Sequence, residues 1–290
     1  MFSCRGDGCA GGHGSDREVM APPASVVAAF GSDPAPVRSL AGGQGRAWRV
    51  GDVVLKPVDH VVEHAWVSEV FAGWRDAGVR VPEPVRAVDG SWSYAGWAAH
   101  RWVEGRDLAL PQEMHLIRRT SDAFHRVVRP LRRPAFLDER SDPWSYGDRV
   151  AWEGAEPQGH GATRDLIMAG LSALQPVQSP GQVIHGDIGG NVLVAAGLPP
   201  AVIDWPPYFR PAGFALAVAA ADAISWSGAP LSVLDAWSDV PDWDQLLLRA
   251  VIYRVATRGR SEALGGGPTD SEQYVGRCRP TMDAVLRRLP

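Results

Sequence analysis

The sequence predicts an α+β protein, in which a small antiparallel sheet lobe precedes a larger and mostly helical lobe. Three short apolar runs between residues 37 and 57, separated by tight turns, predict antiparallel strands. From residue 111 onward, apolar residues recur at helical spacing, and two short β-type runs interrupt them near residues 192 and 201. The predicted domains are a disordered tail over 1–24, a sheet lobe over 25–104 and a helical lobe over 105–290.

Turn signals divide the sheet lobe into its elements. A short helix is predicted over 25–30, before the first strand. The Gly51-Asp52 pair predicts a tight turn between the second and third strands. Two further strands are predicted over 85–88 and 94–103, separated by an Asp89-Gly90 turn.

A glycine-rich loop lies between the first two predicted strands. It contains Gly42, Gly43 and Gly45, and without a Cβ these residues let backbone N–H groups approach phosphate oxygens closely. The spacing matches neither the P-loop nor the dinucleotide-binding motif, because a strand follows and not a helix. A purely structural hairpin loop explains the glycines equally well, so both interpretations stay open.

Lys56 ends the strand Val53-Val54-Leu55 and is the only lysine in the chain, since the other 28 basic residues are arginine. A lysine in a chain that otherwise uses arginine indicates a need for a compact point charge, such as a phosphate contact. The alternative is an ordinary exposed lysine at a strand end.

The next segment, residues 60–77, has helical periodicity. Val62, Trp66 and Val70 fall within one arc, and Glu69 falls in that same arc. A carboxylate on a buried stripe needs a cationic partner. We therefore expect Glu69 to form an ion pair with Lys56, with Glu63 as the second choice.

The second lobe contains six predicted helices. They cover residues 114–128, 145–152, 163–173, 212–225, 243–257 and 272–289. The residues between the third and fourth of these helices form the predicted catalytic strands and turns.

The segment His185-Gly186-Asp187 is followed by Asn191 and a β-type run, and a second run then ends on Asp204. Two strands thus bring an aspartate, an asparagine and a second aspartate to one region. Phosphoryl transfer uses such a set, in which one carboxylate orients or deprotonates the attacking hydroxyl. The other carboxylate and the amide oxygen hold metal ions that neutralise the triphosphate.

These motifs, in this order, resemble the aminoglycoside phosphotransferase-like family of the protein-kinase-like fold. The resemblance covers roughly residues 36–230 and rests on the glycine-rich hairpin, the strand lysine, the helix glutamate, His-Gly-Asp…Asn and Ile-Asp-Trp. It implies a bilobal kinase with its site in the cleft between the lobes. The implied activity is transfer of the γ-phosphate of ATP to a hydroxyl of a small molecule, with Mg²⁺ as the cofactor.

The resemblance also implies roles for individual residues. Asp187 is the implied catalytic base, and Asn191 and Asp204 are the implied Mg²⁺ ligands. Lys56 contacts the phosphates and Glu69 pairs with it, while Gly42, Gly43 and Gly45 cover the nucleotide. His185 braces the catalytic loop, and backbone groups from His100 to Trp102 meet the adenine edge.

One departure from the family pattern concerns the catalytic loop. The family usually has four residues between the catalytic Asp and the Asn, whereas only Ile188, Gly189 and Gly190 intervene here. The two glycines could give the shorter loop another path to the metal. The alternative function is a nucleotide-binding pseudokinase that acts as a sensor or scaffold.

Composition excludes several other classes of protein. A net charge of −4 does not favour binding to nucleic acid or to an anionic membrane. Three cysteines do not indicate a disulfide framework, and Cys4, Cys9 and His13 lack a fourth zinc ligand at suitable spacing. The longest apolar stretch, 214–221, is too short to span a membrane. We therefore expect a cytoplasmic enzyme, whose oligomeric state the sequence does not indicate.

Two charged segments leave the acceptor open. Residues 137–165 contain seven acidic residues against three arginines, a composition that suits a cationic amino sugar. Residues 118–133 contain six arginines against one aspartate. The alternative, which we favour, is two solvated helix faces that offset each other.

Overall fold

The computed structural model describes residues 20–31, 35–40, 46–75, 77–265 and 271–289. Three sets of predictions lie outside these ranges: the tail over residues 1–19, the phosphate contact of Gly42, Gly43 and Gly45, and the zinc alternative at Cys4, Cys9 and His13. The chain divides into two compact units. The first unit contains the described residues up to 107 together with 191–205, and the second unit contains 108–190 and the described residues from 206 onward.

The first unit is built on an antiparallel sheet. Its strands are β1 (Val37–Ser39), β2 (Trp48–Val50), β3 (Val53–Pro57), β4 (Pro84–Val85), β5 (Ser93–Tyr94) and β6 (Trp97–Arg101). The order is β1-β2-β3-β6-β4, and β5 also pairs with β6. Because side chains alternate along β3 and β6, Leu55 and Ala99 point into the same core. Helix α1 (Ala24–Ala29) contributes Val26 to this core, and Phe30, which follows the helix, also packs there.

Helix α2 (Val61–Ala72) follows β3 in the first unit. Its buried residues are Ser68 and Phe71, whereas Val61 and Val62 are exposed. Because apolar residues occur all around this helix, their periodicity does not define its buried face. Within the predicted arc, Val62 is exposed, whereas Trp66 and Val70 are half-buried.

A second, three-stranded ladder also belongs to the first unit. It has the order β10-β9-β7 and consists of β7 (Arg106–Asp107), β9 (Val192–Val194) and β10 (Ala201–Val202). Arg80 attaches it, because its backbone pairs with Ala201 and its guanidinium donates to the carbonyl oxygens of Pro199 and Glu104. The sequence assigned all residues after 104 to the second lobe, whereas 105–107 and 191–205 pack with the first unit.

The second unit is mostly helical. Its helices are α3 (Met114–Val128), α4 (Pro143–Glu153), α5 (Gly161–Leu171), α6 (Ala212–Ser227), α7 (Trp243–Ala263) and α8 (Ser271–Leu286). A two-stranded antiparallel ladder, β8 (Gln182–His185) with β11 (Pro207–Arg210), lies among them. Helix α7 packs against α4, α5, α6 and α8 and forms the centre of this core.

The predicted fold class, α+β, is confirmed: antiparallel sheets and several helices make up the described residues. Within the described ranges, no helix has both the length and the apolarity that crossing a membrane requires. The apolar stretch 214–221 lies inside α6 and is buried throughout, which explains its composition by packing in the second unit.

Candidate active site

The loop predicted to be catalytic, residues 185–191, begins where β8 ends, in the second unit. His185 is fully buried, and its Nδ1 accepts a hydrogen bond from the backbone N–H of Asp187 at 3.1 Å. The N–H of Gly186 donates to the carbonyl oxygen of Pro206 at 3.0 Å. The imidazole thus acts as a neutral acceptor that holds the loop, which is the contact that a bracing role requires.

His125, on α3, accepts a hydrogen bond from the backbone where the loop begins. This residue was not identified from the sequence. Its Nε2 accepts the backbone N–H of His185 at 3.1 Å, and its Nδ1 lies 3.0 Å from the hydroxyl of Ser121. Burial, reinforced by nearby His185, lowers the pKa of His125 to about 3. The ring therefore stays neutral and can accept. The available signal was a Ser and a His four residues apart on one helix face.

The glycines of the loop have different roles. A Cβ on Gly186 would lie 2.3 Å from the ring of Tyr208. A Cβ on Gly189 would lie 3.1 Å from the Cβ of Ala219 on α6. A Cβ on Gly190 would meet nothing within 4 Å. Neither Gly189 nor Gly190 has a positive φ. The shortened loop therefore needs glycine for close approach to α6 and not for an unusual backbone conformation.

The carboxylate of Asp187 contacts an arginine from α7. Nη2 of Arg254 donates to Oδ1 of Asp187 at 2.5 Å, and the same guanidinium pairs with Asp222 on α6. The side chain of Asp187 is 45% exposed, whereas that of Arg254 is 14% exposed. Asp187 is thus half-exposed and bonded to a partly buried cation. Sequence reasoning missed Arg254, because no local pattern links it to a residue 67 positions earlier.

In the first unit, Lys56 and Asp204 are brought together. The Nζ of Lys56 at the end of β3 donates to Oδ1 of Asp204, which follows β10. Asp204 has a φ of +47°, a conformation that residues other than glycine rarely adopt and that often marks a functional position. The strand lysine and the second aspartate of the motif thus form one ion pair.

Asn191 and Asp204 lie at one end of the β9–β10 ladder. Val192 pairs with Val202, and the N–H of Ile203 donates to the carbonyl oxygen of Asn191 at 3.0 Å. An amide oxygen and a carboxylate are hard oxygen donors of the kind that Mg²⁺ prefers. The donor set at this end of the ladder therefore fits the implied metal.

The predicted ion pair between Glu69 and Lys56 is wrong. Glu69 is exposed and accepts hydrogen bonds from Arg86 at 3.0 Å and from the indole N–H of Trp92 at 2.9 Å. These two contacts lower the pKa of the Glu69 carboxyl, and the hydrogen bond from Trp92 has the larger effect. The physical reason is the orientation of α2, whose inward residues are Ser68 and Phe71.

An aromatic cluster connects α2 to the segment after Asp204 instead. Trp205 is buried, and its ring centroid lies 5.3 Å from that of Trp66 and 5.5 Å from that of Phe71. Ring pairs at such distances contribute about 0.5–1.5 kcal/mol beyond their burial. Packing, and not an ion pair, therefore attaches α2 to the Asp204 segment in this structure.

The residues expected at the adenine edge lie on and just after β6. The N–H groups of Arg101 and Trp102 donate to the carbonyl oxygens of Glu83 and Asp52, so these two donors are engaged within the first unit. The adenine contact of backbone groups from His100 to Trp102 stays a prediction. Burial, followed by the charge of Lys56, lowers the pKa of His100 to about 4, so His100 is neutral near Lys56.

The acidic segment of the second unit is largely neutralised by arginines. Five of its seven carboxylates form ion pairs: Asp138 with Arg133, Asp142 with Arg140, Asp148 and Glu153 with Arg210, and Glu156 with Arg164. Four of the five pairs use Arg140, Arg164 or Arg210 and only one uses an arginine of 118–133, so the two charged segments do not mainly offset each other.

Comparison with known proteins supports the resemblance. The model of the phosphotransferase enzyme family matches residues 62–229, more than half of the chain. A search of curated protein sequences gave no significant match.

Solved structures of phosphotransferases share the fold at low sequence identity. Spectinomycin phosphotransferase APH(9)-Ia, in complex with ADP and spectinomycin, is 12% identical, with a TM-score of 0.54 over 90% of this chain and 95% of that chain. Aminoglycoside phosphotransferase APH(4)-Ia, in a ternary complex with AMP-PNP and hygromycin B, is 15% identical, with a TM-score of 0.56 over 90% and 97%. Choline kinase LicA from Streptococcus pneumoniae is 10% identical, with a TM-score of 0.60 over 87% and 93%. The chain has the protein-kinase-like fold and belongs to the phosphotransferase enzyme family.

Proposed function

We propose that this protein is a kinase that transfers the γ-phosphate of ATP to a hydroxyl of a small molecule, with Mg²⁺ as cofactor. The observation that carries the proposal is the Lys56–Asp204 ion pair beside Asn191, in a chain whose Asp187 lies on a braced loop. Complexes of the structural neighbours with ADP and AMP-PNP support a nucleotide as the phosphate donor.

The first unit supplies the groups for the nucleotide. The compact charge of Lys56 binds phosphate oxygens, and the Asn191 amide oxygen and the Asp204 carboxylate would hold the metal. Bound Mg²⁺ supplies neutralisation of the charge on the triphosphate. Nucleotide binding has to separate Lys56 from Asp204 or admit phosphate and metal at their contact, because the two now bond directly.

The second unit supplies the base. Asp187 accepts the proton of the acceptor hydroxyl, whose oxygen forms a bond to the γ-phosphorus while the bond from phosphorus to the β-phosphate oxygen breaks. ADP is the leaving group. Four peptide units separate Asp187 from Asn191, so their Cα atoms lie at most about 14 Å apart by chain length alone. This bound is set by the chain itself, since Asp187 and Asn191 are four positions apart.

The acceptor class remains broad in this proposal. The neighbours' ligands include spectinomycin and hygromycin B, and another neighbour is a choline kinase. The pairing of the acidic segment with arginines argues against assuming a polycationic antibiotic. A panel of hydroxyl-bearing metabolites and antibiotics is therefore the appropriate screen.

The test is detection of phosphorylated products by mass spectrometry across this panel with Mg-ATP. Asp187→Asn keeps the shape of the side chain but removes its basicity, so it should lower turnover by about two orders of magnitude or more. Affinity for Mg-ATP, measured by calorimetry, should stay near wild type in this variant, because the base acts on the acceptor. A pseudokinase would bind nucleotide and modify no acceptor, and equal turnover by wild type and Asp187→Asn would contradict the role of Asp187.

A further inference from the structure

Arg254 of α7 is a partly buried cation that contacts the proposed base. Its Nε donates to Oδ1 of Asp222 at 2.9 Å, and its Nη2 bonds Oδ2 of Asp222. The same Nη2 donates to Oδ1 of Asp187 at 2.5 Å. One planar guanidinium thus bonds Asp222 through Nε and Nη2, and Nη2 also bonds Asp187.

Asp222 and its surroundings fix the position of Arg254. Asp222 lies on α6, which packs against α7. A hydrogen bond from Trp226 reaches the Asp222 carboxylate, and the hydroxyl of Tyr274 on α8 donates to the carbonyl oxygen of Arg254. Burial raises the pKa of the Asp222 carboxyl, while the charge of Arg254 opposes that effect. Three helices therefore hold one arginine in place.

The contact with Asp187 exceeds what the burial of Arg254 requires. A two-point pair with Asp222 already neutralises the guanidinium. Asp187, by contrast, is 45% exposed, so water solvates it without help from Arg254. The additional bond therefore acts on Asp187 and restricts the orientation of its carboxylate.

We propose that Arg254, anchored by Asp222, is a positioning residue that orients the carboxylate of Asp187 toward the acceptor hydroxyl. This inference rests on the proposed function, in which Asp187 is the base. A base held in one orientation avoids the loss of rate that follows when the reacting atoms are misplaced, which can reach about a hundredfold for a displacement of about 1 Å.

The contact itself can be tested without catalysis. In protein labelled with ¹⁵N at arginine, the side-chain Nη signals of Arg254, assigned by comparison with Arg254→Lys, should change position in Asp187→Asn. A change is expected because the substitution removes the charge that Nη2 contacts. Unchanged Arg254 signals in Asp187→Asn would show that the contact is absent in solution and would overturn the proposal, whether or not the wild-type protein phosphorylates an acceptor.

The kinetic test separates positioning from folding. Arg254→Gly should lower kcat by about ten- to a hundredfold with the KM for ATP within about twofold of wild type, since only the base is disturbed. Added guanidinium ion should restore part of kcat, and Arg254→Lys should retain more activity than Arg254→Gly. Asp222→Asn should lower kcat less than Arg254→Gly, because the guanidinium stays and only its anchor is weakened.

Arg258→Met is the matched control. Arg258 is a buried arginine one turn further along α7, and it pairs with Glu262 at 3.3 Å. This variant should keep wild-type kcat, and guanidinium should not change its rate. Full kcat in Arg254→Gly, or an equal loss of kcat in Arg258→Met that guanidinium does not rescue, would overturn the proposal. Absence of any phosphorylated acceptor with wild-type protein would instead count against the proposed function.

Discussion

At the scale of single residues, the two charged centres of the candidate site differ in how they are held. Lys56 is 28% exposed and pairs with Asp204, so its partner is the group that would hold the metal in the proposed function. Asp187 pairs with Arg254, whose other partner, Asp222, takes no part in the proposed chemistry. Ligand binding therefore has to rearrange the first centre, whereas the second centre is prepared in advance.

We expect Asp204→Ala to remove Mg-dependent affinity for ATP, because the metal would lose the ionised ligand that the proposal assigns to it. Calorimetric titration of wild type and variant with ATP, with and without Mg²⁺, measures the effect. The metal role of Asp204 is contradicted if Mg²⁺ improves ATP binding equally in both proteins.

Glu69→Gln is expected to change the affinity for Mg-ATP by less than about twofold, because an exposed ion pair with Arg86 contributes little. Lys56→Met, in the same unit, should weaken Mg-ATP binding by at least about tenfold, since a phosphate contact with a charged donor is lost. Calorimetry on both variants gives the comparison. A large effect in Glu69→Gln would restore the ion pair with Lys56 that the sequence suggested.

At the scale of secondary-structure elements, the catalytic loop is supported by packing from three directions. Helix α3 contributes His125, β11 contributes Tyr208, and α6 contributes Ala219. Each contact is made to a backbone group or a glycine of the loop. The position of Asp187 therefore depends on how closely these elements approach each other.

Gly186→Ala should destabilise the fold by about 1–3 kcal/mol, the usual result of adding a methyl group to a packed site. The added Cβ would lie 2.3 Å from the buried ring of Tyr208. Gly190→Ala is the control, because its Cβ would meet nothing within 4 Å. Urea unfolding of both variants measures the difference, and equal stability would show that Tyr208 shifts freely.

The low pKa of His125 makes stability depend on pH. The folded-state pKa of about 3 lies below the unfolded value of 6.5, so the unfolded state binds the proton first. This group therefore leaves stability unaffected above about pH 6.5 and lowers it as the pH falls from there towards 3.

Between pH 7.5 and 5.5, wild type should lose about 1.4 kcal/mol more than His125→Gln, which lacks the titrating ring. The other histidines, His100 included, are present in both proteins, so their contributions to the free energy of unfolding cancel when the two losses are subtracted. Urea unfolding at the two pH values tests this, and parallel losses in both proteins would show that His125 titrates normally in the folded state.

At the scale of the whole molecule, the chain returns to its first unit after making the catalytic loop. Residues 191–205 form β9 and β10 against β7 and Arg80 of the first unit, whereas Asp187 and β11 belong to the second. The proposed metal ligands, Asn191 and Asp204, thus share a unit with Lys56, and the proposed base shares a unit with α6 and α7. A ligand that contacts Lys56, Asn191 and Asp204 stabilises the first unit directly.

Saturating Mg-ATP should therefore raise the melting temperature of wild type. A ligand at a hundred times its Kd adds about 2.7 kcal/mol to the free energy of unfolding. Asp204→Ala should show no such shift, while Asp187→Asn should show one close to wild type. A scan of heat-induced unfolding with each protein is sufficient, and a normal shift in Asp204→Ala would remove this residue from the ligand site.

The sequence by itself determined the fold class, the positions of most helices and the order of the motifs. These features depend on short-range rules: the spacing of apolar residues, turn-forming pairs such as Gly51-Asp52, and a chain that keeps Asp187 close to Asn191. Helix α3 matches its predicted bounds, 114–128, because its apolar face is regular. Helix α2 lacks such a face, and its predicted range, 60–77, is longer than the observed Val61–Ala72, while the spacing of its residues did not predict its orientation.

Only the tertiary structure decided which charged groups meet. Lys56 and Asp204 are 148 positions apart, and Asp187 and Arg254 are 67 apart. A charge has no sequence period that identifies its partner, and the chain contains 28 arginines and 33 acidic residues from which to choose. The choice follows from how helices and strands pack, because burial of apolar surface sets their positions before any single ion pair can.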